Sequence, residues 1–510
     1  MTALALRARN AASTFAVAVA IAVACVASIG AMLLTDGNPA AVLAPAIIGV
    51  IVWMVVTLPI RLSAMGIVLL LLVADYPPEL PYENLWVSPF NLLGRLLFTN
   101  LSTLTGIGLL RLPLIDMMVI GLLVLRAWRR SHHAAIDLPG PPPVQALNRA
   151  LLISVGMVLV LDVVGTATGG NFNESLWQLR HLLLFPLCAF LFIGSLRGTE
   201  AELRTIARIL LAGALVKALC GIYFVYGVLR PSGGYTEYTT SHSDTLLYVS
   251  VFGGYIAYFF ERPRWATIRD HLWWLPIVFW GMVLNDRRLA YVSLGGSVLA
   301  IYLLQPNTWL KRRLFQLFLV TLPVAAMYLS VGWGRGERIF QPVQIVRSLV
   351  EGEVKAAGAD YRDIENADVI STWAAHPLLP LGFGHKFHEP IKLPDISMSM
   401  PTYQYHPHNQ FLWMWAIGGI FGFTLMFLPW VVALFLAARA HKFLRRPFER
   451  AAALTIICLI IAQLNQVFGD MGTRSHFGSI LGGLAVALAA KLAVRSGAWP
   501  GAATTGSAGT

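Results

Sequence analysis

Residues 406–438 read HPHNQFLWMWAIGGIFGFTLMFLPWVVALFLAA, a short polar segment followed by a long apolar run. Pro407 cannot continue a helix backwards and favours an extended residue before it, so a helix is predicted to begin just after it. The run is long enough to cross a membrane, which takes about 20 apolar residues. Gly418 and Gly422 have the spacing typical of close packing between membrane helices. The stretch therefore predicts a membrane helix with His408 at its polar end.

His408 is a candidate general base. The unpaired N–H groups of the first helical turn favour an anion nearby. Histidine is the side chain that takes up a proton near neutral pH, and the positive end of a helix favours its neutral form. The alternative interpretation is that His408 only caps a membrane span at the interface.

The composition of the whole chain agrees with a membrane protein. Of 510 residues, 57% are hydrophobic and 13% are charged, whereas soluble domains contain about 25% charged residues. The net charge of +12 does not indicate nucleic-acid binding, because membrane proteins concentrate Lys and Arg in cytoplasmic loops. All four cysteines fall in apolar runs, so neither a disulfide nor a cysteine metal site is expected: Cys25, Cys188, Cys220 and Cys458.

The apolar runs predict an all-α polytopic bundle of about 12–14 transmembrane helices. The candidate spans are residues 11–34, 39–60, 62–75, 111–126, 149–167, 180–196, 207–229, 244–260, 271–285, 289–304, 314–332, 409–438, 451–467 and 477–494. We divide the chain into an N-terminal bundle of about 11 spans, a structured extracytoplasmic loop, C-terminal spans and a disordered cytoplasmic tail. These parts are residues 1–332, 333–408, 409–494 and 495–510.

Lys and Arg are concentrated in alternate loops, which predicts that both termini are cytoplasmic and that the long loop lies on the other face. Within that loop, Arg338–Ala357 and Tyr361–Ala375 show helical apolar spacing. The turn-rich segment 376–387 follows. We expect a short helical hairpin over the outer mouth of the bundle. The alternative is a solvated cap without chemistry.

Arginines gather at the predicted outer ends of the spans and in the long loop. They are Arg180, Arg287, Arg288, Arg335, Arg338, Arg347, Arg362 and Arg474. The planar guanidinium binds phosphate at two points, so a converging set suits a lipid with a diphosphate head. The alternative is that each pairs with a nearby acid. Asp162 and Lys217 lie inside predicted spans, and we expect them to pair with each other in a mainly structural role.

The chain resembles the O-antigen ligase and polymerase superfamily. His408-Asn409 is followed after nine residues by Gly419-Ile420-Phe421-Gly422, as in the ligase pattern. The segment His376-Pro377 to Gly382-Phe383-Gly384 is similar to the family's His-Pro and Gly-x-Gly segment. The chain departs from the pattern in three places. Pro380 stands where a glycine is common, with one extra residue before Phe387, and Asp286-Arg287-Arg288 replaces a more usual Ser-Arg step. About fourteen predicted spans also exceed the dozen typical of the ligases. The departures leave open whether the chain is a ligase or a sister polysaccharide polymerase.

The resemblance implies a metal-independent, inverting glycosyltransferase without a cofactor, on the outer face of the bacterial inner membrane. The donor would be a glycan on undecaprenyl diphosphate. The acceptor would be lipid A-core in lipopolysaccharide biosynthesis, or another lipid-linked glycan for an O-antigen or exopolysaccharide polymerase. His408 would be the catalytic base. The substrate-binding residues would be Arg180, Arg287, Arg288, Arg362 and Asn409, with Arg288 preferred to Arg287 for the diphosphate. The structural glycines would be Gly382, Gly384, Gly418, Gly419 and Gly422.

A transporter is the rival from a different class. A flippase for lipid-linked glycans would also contain many spans and cations, but it would carry charges along a cavity at mid-membrane depth. Here the cations gather at the outer ends of the spans, beside one long structured loop. This distribution favours the enzyme. A non-catalytic subunit of an envelope assembly is the third interpretation.

Overall fold

The structure, a computed structural model, describes residues 57–74, 89–105, 112–131, 140–233, 239–340, 343–344, 346–347, 357–398, 400 and 402–499, with residues 26 and 49 in isolation. The chain forms two compact units, Met1–Leu138 and Pro139–Thr510. The first two predicted spans, most of the predicted helix Arg338–Ala357 and the tail beyond Trp499 lie outside the described residues.

The described helices of the first unit are α1 (Ile60–Val73), α2 (Asn91–Phe98), α3 (Leu101–Thr105) and α4 (Leu114–Ser131). Both α1 and α2 pack against α4. The described helices of the second unit are α5 (Pro142–Ala167), α6 (Phe172–Ser195), α7 (Glu200–Tyr223), α8 (Asp244–Glu261), α9 (Trp265–Arg269), α10 (Leu275–Leu284), α11 (Arg288–Leu304), α12 (Trp309–Gly332), α13 (Ala357–Ala375), α14 (Gln410–Phe443), α15 (Pro447–Gly469) and α16 (His476–Arg495). A π-helical turn, Phe224–Leu229, extends α7.

The predicted all-α membrane bundle is confirmed. Within the described ranges, seven helices are long and apolar enough to cross a membrane, and none of these residues forms a strand. The seven are α5, α6, α7 with its π-helical extension, α12, α14, α15 and α16. Helices α1, α10 and α11 are shorter but also apolar. Each predicted span from residue 62 onwards overlaps a described helix.

Helices α14, α15 and α16 form the centre of the second unit. Helix α5 packs against α14, α6 against α16, and α8 against α15. Small residues allow α16 to approach its neighbours closely. A Cβ on Gly482 would lie 2.4 Å from the Trp430 ring, and one on Gly483 would lie 2.7 Å from Cys188 Cβ. The surface of α16 is therefore buried almost throughout, which fixes the bundle around it.

Helix α14 is not the uninterrupted helix that the sequence predicts. Gly419 has φ 58° and ψ −172°, so two helical segments meet there at a kink. This left-handed φ favours glycine. A Cβ at Gly419 would lie 2.6 Å from the Leu378 carbonyl oxygen, and the Ile420 amide donates to the Pro377 carbonyl. The break makes room for the turn-rich segment of the long loop and leaves a backbone donor to hold it.

The predicted contact of Gly418 and Gly422 with another helix occurs on α5. Ideal Cβ atoms at both glycines would be 3.6–3.7 Å from the Leu161 side chain, which is ordinary van der Waals contact. Met157 is equally close to Gly422. The spacing of these glycines thus correctly predicts that they pack against another helix, although α14 is kinked between them.

Candidate active site

His408 is held by a buried carboxylate that the sequence analysis did not identify. The His408 backbone N–H donates to Glu365 Oε2 over 2.9 Å, and Nδ1 lies 3.1 Å from each Glu365 oxygen. The side chain of Glu365 is 1% exposed, whereas that of His408 is 22% exposed. Glu365 therefore accepts a hydrogen bond from the Nδ1–H group of His408, and the other ring nitrogen, Nε2, is left as an acceptor.

Helix α13 brings Glu365 to this position, as part of the helix predicted over Tyr361–Ala375. Its apolar face packs against the start of α14, where Val369 and Ala416 share a buried cluster. Tyr361 precedes Glu365 by four residues, on the same helical face. The Tyr361 ring meets the His408 ring edge-on at 5.9 Å. Burial and Glu365 raise the pKa of Tyr361, so its hydroxyl stays protonated beside the histidine.

Two further polar side chains of α13 bind the loop. Asp368 accepts a hydrogen bond from the Ile391 amide, and Thr372 accepts one from the His388 amide. Both side chains are buried. The helix thus has an apolar and a polar buried face, so it is clamped between the bundle and the loop instead of lying on a solvated surface.

The start of α14 is tied to the turn between α15 and α16. The Met471 amide donates to the His408 carbonyl over 3.0 Å, and the Thr473 amide donates to Gln410 Oε1 over 2.8 Å. Asn409, proposed from the resemblance to bind substrate, is the N-cap of α14. Its side-chain oxygen accepts from the Leu412 amide over 3.2 Å, and it is buried. The structure thus gives Asn409 a capping role.

His242, Asp470 and two arginines surround His408. His242 Nδ1 contacts Asp470, and Arg362 lies 4.0 Å from the same carboxylate. Arg362 also donates to the Gly469 carbonyl over 3.2 Å. Burial, followed by the charges of Arg287 and Arg362, lowers the pKa of His242 to about 2. Four elements distant in sequence therefore converge on one polar cluster, and His242 is neutral within it.

The structure brings Arg287, rather than Arg288, into this cluster. Asp286 has a left-handed φ of 49°, which turns the chain sharply between α10 and α11. Arg287 then forms the half-buried N-cap position of α11, near His242. Arg288 is the first residue of α11 and is exposed. A doubled arginine leaves the register ambiguous in the sequence. In the structure, Arg287 is the one of the two whose charge acts on His242.

Arg180 lies in a second cluster, together with Arg474. The guanidinium carbons of Arg180 and Arg474 lie 5.6 and 5.0 Å from the centre of the Trp177 ring. Buried His406 packs edge-on against the same ring at 6.1 Å. Burial and Arg474 lower the pKa of His406 well below its usual value, so it is a neutral packing residue. The turn 470–474 links the two clusters, since it supplies Asp470 to the first and Arg474 to the second.

The predicted structural glycines hold the loop against the bundle. Gly382 and Gly384 have φ of 85° and 79°. A Cβ at Gly382 would lie 2.2 Å from the Gly165 nitrogen, and one at Gly384 would lie 2.5 Å from the Asn171 oxygen. Their own amides donate to the Ile417 carbonyl and to Gln178 Oε1. Only glycine fits such close backbone contacts, which join the loop to α5, α6 and α14.

The expected pairing of Asp162 with Lys217 is wrong. Asp162 accepts a hydrogen bond from Ser175 at the start of α6. Lys217 Nζ instead lies 4.0 Å from Asp244 Oδ1, and both side chains are buried. Asp244 also accepts from the amide and hydroxyl of Ser241. The lysine is directed at α8, where a carboxylate at the helix start offers a nearer partner than α5 does.

Metal ligands form no cluster in the described ranges: no group of three or more His, Cys, Asp or Glu side chains there is arranged to hold an ion. Metal independence itself stays a prediction from the resemblance. The arginines around His242 are the groups that could neutralise a phosphate in the part of the site that is described.

The apolar helices define a multi-pass membrane protein, and polar side chains from several elements gather at one end of its bundle. Residues 274–427 match the family model described as O-Antigen ligase, so the resemblance to the O-antigen ligase-like superfamily is confirmed. The match supports a ligase- or polymerase-like role. It covers less than half of the chain but includes Arg287, Arg362, Glu365, His408 and Gly419. A comparison with curated proteins gives no match.

Proposed function

We propose that the protein transfers a glycan from undecaprenyl diphosphate to a sugar hydroxyl, at the outer face of a bacterial inner membrane. The observation that carries the proposal is the buried Glu365 bound to both the backbone and Nδ1 of the partly exposed His408. This is how a general base is oriented: one ring nitrogen is fixed by a carboxylate, and the other is presented to the substrate. The O-Antigen ligase match over the same residues supports the reaction class.

In the proposed reaction, Nε2 of His408 removes the proton from the acceptor hydroxyl. The oxygen forms a bond to the anomeric carbon while the bond from that carbon to the diphosphate oxygen breaks. The bonding electrons leave with undecaprenyl diphosphate, and the anomeric configuration inverts. Glu365 stabilises the positive charge that develops on the imidazole. No metal or cofactor takes part in this proposal.

The leaving diphosphate is assigned to the cations around His242. Arg287 and Arg362 approach His242 from different elements, so they can contact the diphosphate from two sides. Arginine binds phosphate oxygens in pairs and stabilises charge that builds up on a leaving group. The 4.0 Å separation of Arg362 and Asp470 is long for an ion pair, so phosphate can replace that contact. Arg180 is proposed to bind substrate beside Trp177.

The acceptor is a sugar hydroxyl in either of two settings. A ligase would use lipid A-core, and a polymerase would use another lipid-linked glycan. His408 and Glu365 suit either acceptor equally, because the reacting group of each acceptor is a sugar hydroxyl. Supplying each acceptor with the same donor to purified protein distinguishes them by the product formed.

The deciding experiment compares the purified wild-type protein with His408→Ala. Removal of a general base lowers the rate by roughly 10²–10⁴-fold. We therefore expect the variant to accumulate normally, to bind the lipid-linked donor and to form little product. Full transfer by His408→Ala would disprove the assignment of the base. Absence of transfer by wild type, with movement of the donor across liposomes, would instead support the flippase.

A further inference from the structure

The second unit contains a basic cavity at the end of the bundle opposite to His408. It has a volume of about 490 Å³ and is open to the surface. Helix α8 begins beside His242 and ends at the cavity with Glu261, and α15 begins at the cavity and ends beside Asp470. The 23 residues of α15 span roughly 35 Å at 1.5 Å per residue, which is about one membrane thickness. The cavity therefore lies at the other membrane interface.

Arginines outnumber carboxylates around this cavity. Its charged lining consists of Arg204, Arg262, Arg264, Arg446, Glu200 and Glu261. Glu200 is already bound by Arg204 at 2.6 Å and by Arg446 at 2.7 Å. Glu261 is occupied by His441 on one oxygen and by Arg450 on the other. Both lining carboxylates are therefore neutralised by cations within the protein.

Arg262 and Arg264 carry the charge that is left for a ligand. Both are exposed, and neither forms an ion pair within the described part of the chain. Arg262 makes one long contact, 3.5 Å to the Tyr258 hydroxyl. They flank Pro263 in the lining of the cavity. Because arginine binds phosphate oxygens in pairs, two arginines that line one cavity suit a single anion.

The surroundings of the cavity are apolar and aromatic. Trp265 directly follows Arg264 and is 72% exposed, and Trp273 is 61% exposed. Phe448 lines the cavity, where Arg204 stacks over its ring at 4.5 Å. Exposed tryptophans beside basic residues are typical of a membrane interface, where lipid headgroups meet acyl chains.

We infer that this cavity binds the phosphate headgroup of an anionic membrane phospholipid, held by Arg262 and Arg264. In the orientation predicted from the loop charges, the lipid belongs to the cytoplasmic leaflet. The phosphodiester lies between the two arginines, and the acyl chains follow the exposed aromatic surface beside them. This site is separate from the donor site and does not depend on the proposed reaction.

The test uses the full-length protein in detergent and measures bound lipid by native mass spectrometry together with the thermal unfolding midpoint. The probes are phosphatidylglycerol, phosphatidylcholine with the same acyl chains, and inorganic phosphate. We expect phosphatidylglycerol to bind and stabilise the wild type more than the other two do. In Arg262→Gln/Arg264→Gln, its apparent affinity should fall roughly thirtyfold, since each basic residue near an anionic lipid contributes on the order of 1 kcal/mol.

The matched control is Arg312→Gln/Arg313→Gln, which removes two exposed charges at the start of α12 on the same predicted face. It should keep the lipid preference. Arg262→Lys/Arg264→Lys retains the charge, so it should retain part of the binding even if the glutamine variant is unstable. Unchanged phosphatidylglycerol binding in the glutamine variant, or an equal loss in the control, would overturn the assignment. Full stabilisation by inorganic phosphate, with no further effect of phosphatidylglycerol, would exclude a lipid ligand.

Discussion

At the residue scale, the feature with most consequence is the contact between His408 and Glu365. The sequence predicts His408 from its place before a membrane helix, but Glu365 lies 43 residues earlier in a helix that shows only apolar spacing. A buried carboxylate such as Glu365 adds no periodic signal to the sequence. A partner of this kind can be found only when the fold brings the two elements together.

Glu365→Gln should lower the turnover rate by roughly 10²–10⁴-fold, with little change in donor binding. A glutamine amide can donate to Nδ1, which favours the imidazole with its proton on Nε2 and so removes the acceptor nitrogen. Steady-state transfer by the purified variant measures the effect. Asp363→Asn, at an exposed position of the same helix, is the control and should retain activity. Equal rates for Glu365→Gln and wild type would show that the carboxylate does not orient the base.

Arg287→Lys should lose most of the transfer activity, whereas Arg288→Lys should be close to wild type. Lysine keeps the positive charge but cannot bind two phosphate oxygens with a planar fork. Arg287 faces the His242 cluster, and Arg288 is exposed at the start of α11. Transfer is compared at equal protein abundance. The opposite ranking would return the diphosphate contact to Arg288.

At the scale of elements, the positions of the helices were largely predictable, but their interruptions were not. Apolar run length determines a membrane span, so the predicted spans beyond residue 62 coincide with helices. The kink at Gly419 depends on the carbonyls of Leu378 and Pro377, which come from a distant loop. The same limitation explains the error over Lys217, since neither run length nor spacing specifies which neighbouring helix a charged side chain faces.

Gly419→Ala should destabilise the protein, with a backbone strain of about 1–3 kcal/mol at its left-handed φ and a further clash with Leu378. Thermal unfolding in detergent should therefore begin at a lower temperature. Gly156→Ala is the matched control on α5, because a Cβ there meets nothing within 4 Å and the residue is helical. An unchanged midpoint for Gly419→Ala would show that the kink is not required for stability.

At the scale of the whole molecule, the bundle has two chemically different ends. The His408 cluster lies at one end of α8 and α15, and the basic cavity lies at the other. Loop charges predict which end faces the cytoplasm, because positive residues are retained on that side. The proposed donor requires the opposite end to face outwards, so the proposed mechanism is valid only with this orientation in the membrane.

A thiol reagent that cannot cross the membrane should label Ser397→Cys in intact cells but not Lys442→Cys. Both positions are exposed, so access depends on sidedness and not on burial. The natural cysteines are first replaced, and permeabilised cells, in which both sites should react, provide the control. The reverse pattern in intact cells would put His408 on the cytoplasmic side and contradict the proposed reaction.

The backbone hydrogen bonds of Phe383 and Gly384 have a practical consequence for protein engineering. They attach the loop to the Leu161 carbonyl of α5 and to Asn171 and Gln178 of α6, about 200 residues earlier in the chain. A chimaera that exchanges only residues 376–408 with a relative of different acceptor preference would lose these hydrogen bonds to α5 and α6. Exchange of the α5–α6 hairpin together with the loop would transfer both partners of these hydrogen bonds and so keep the loop in place.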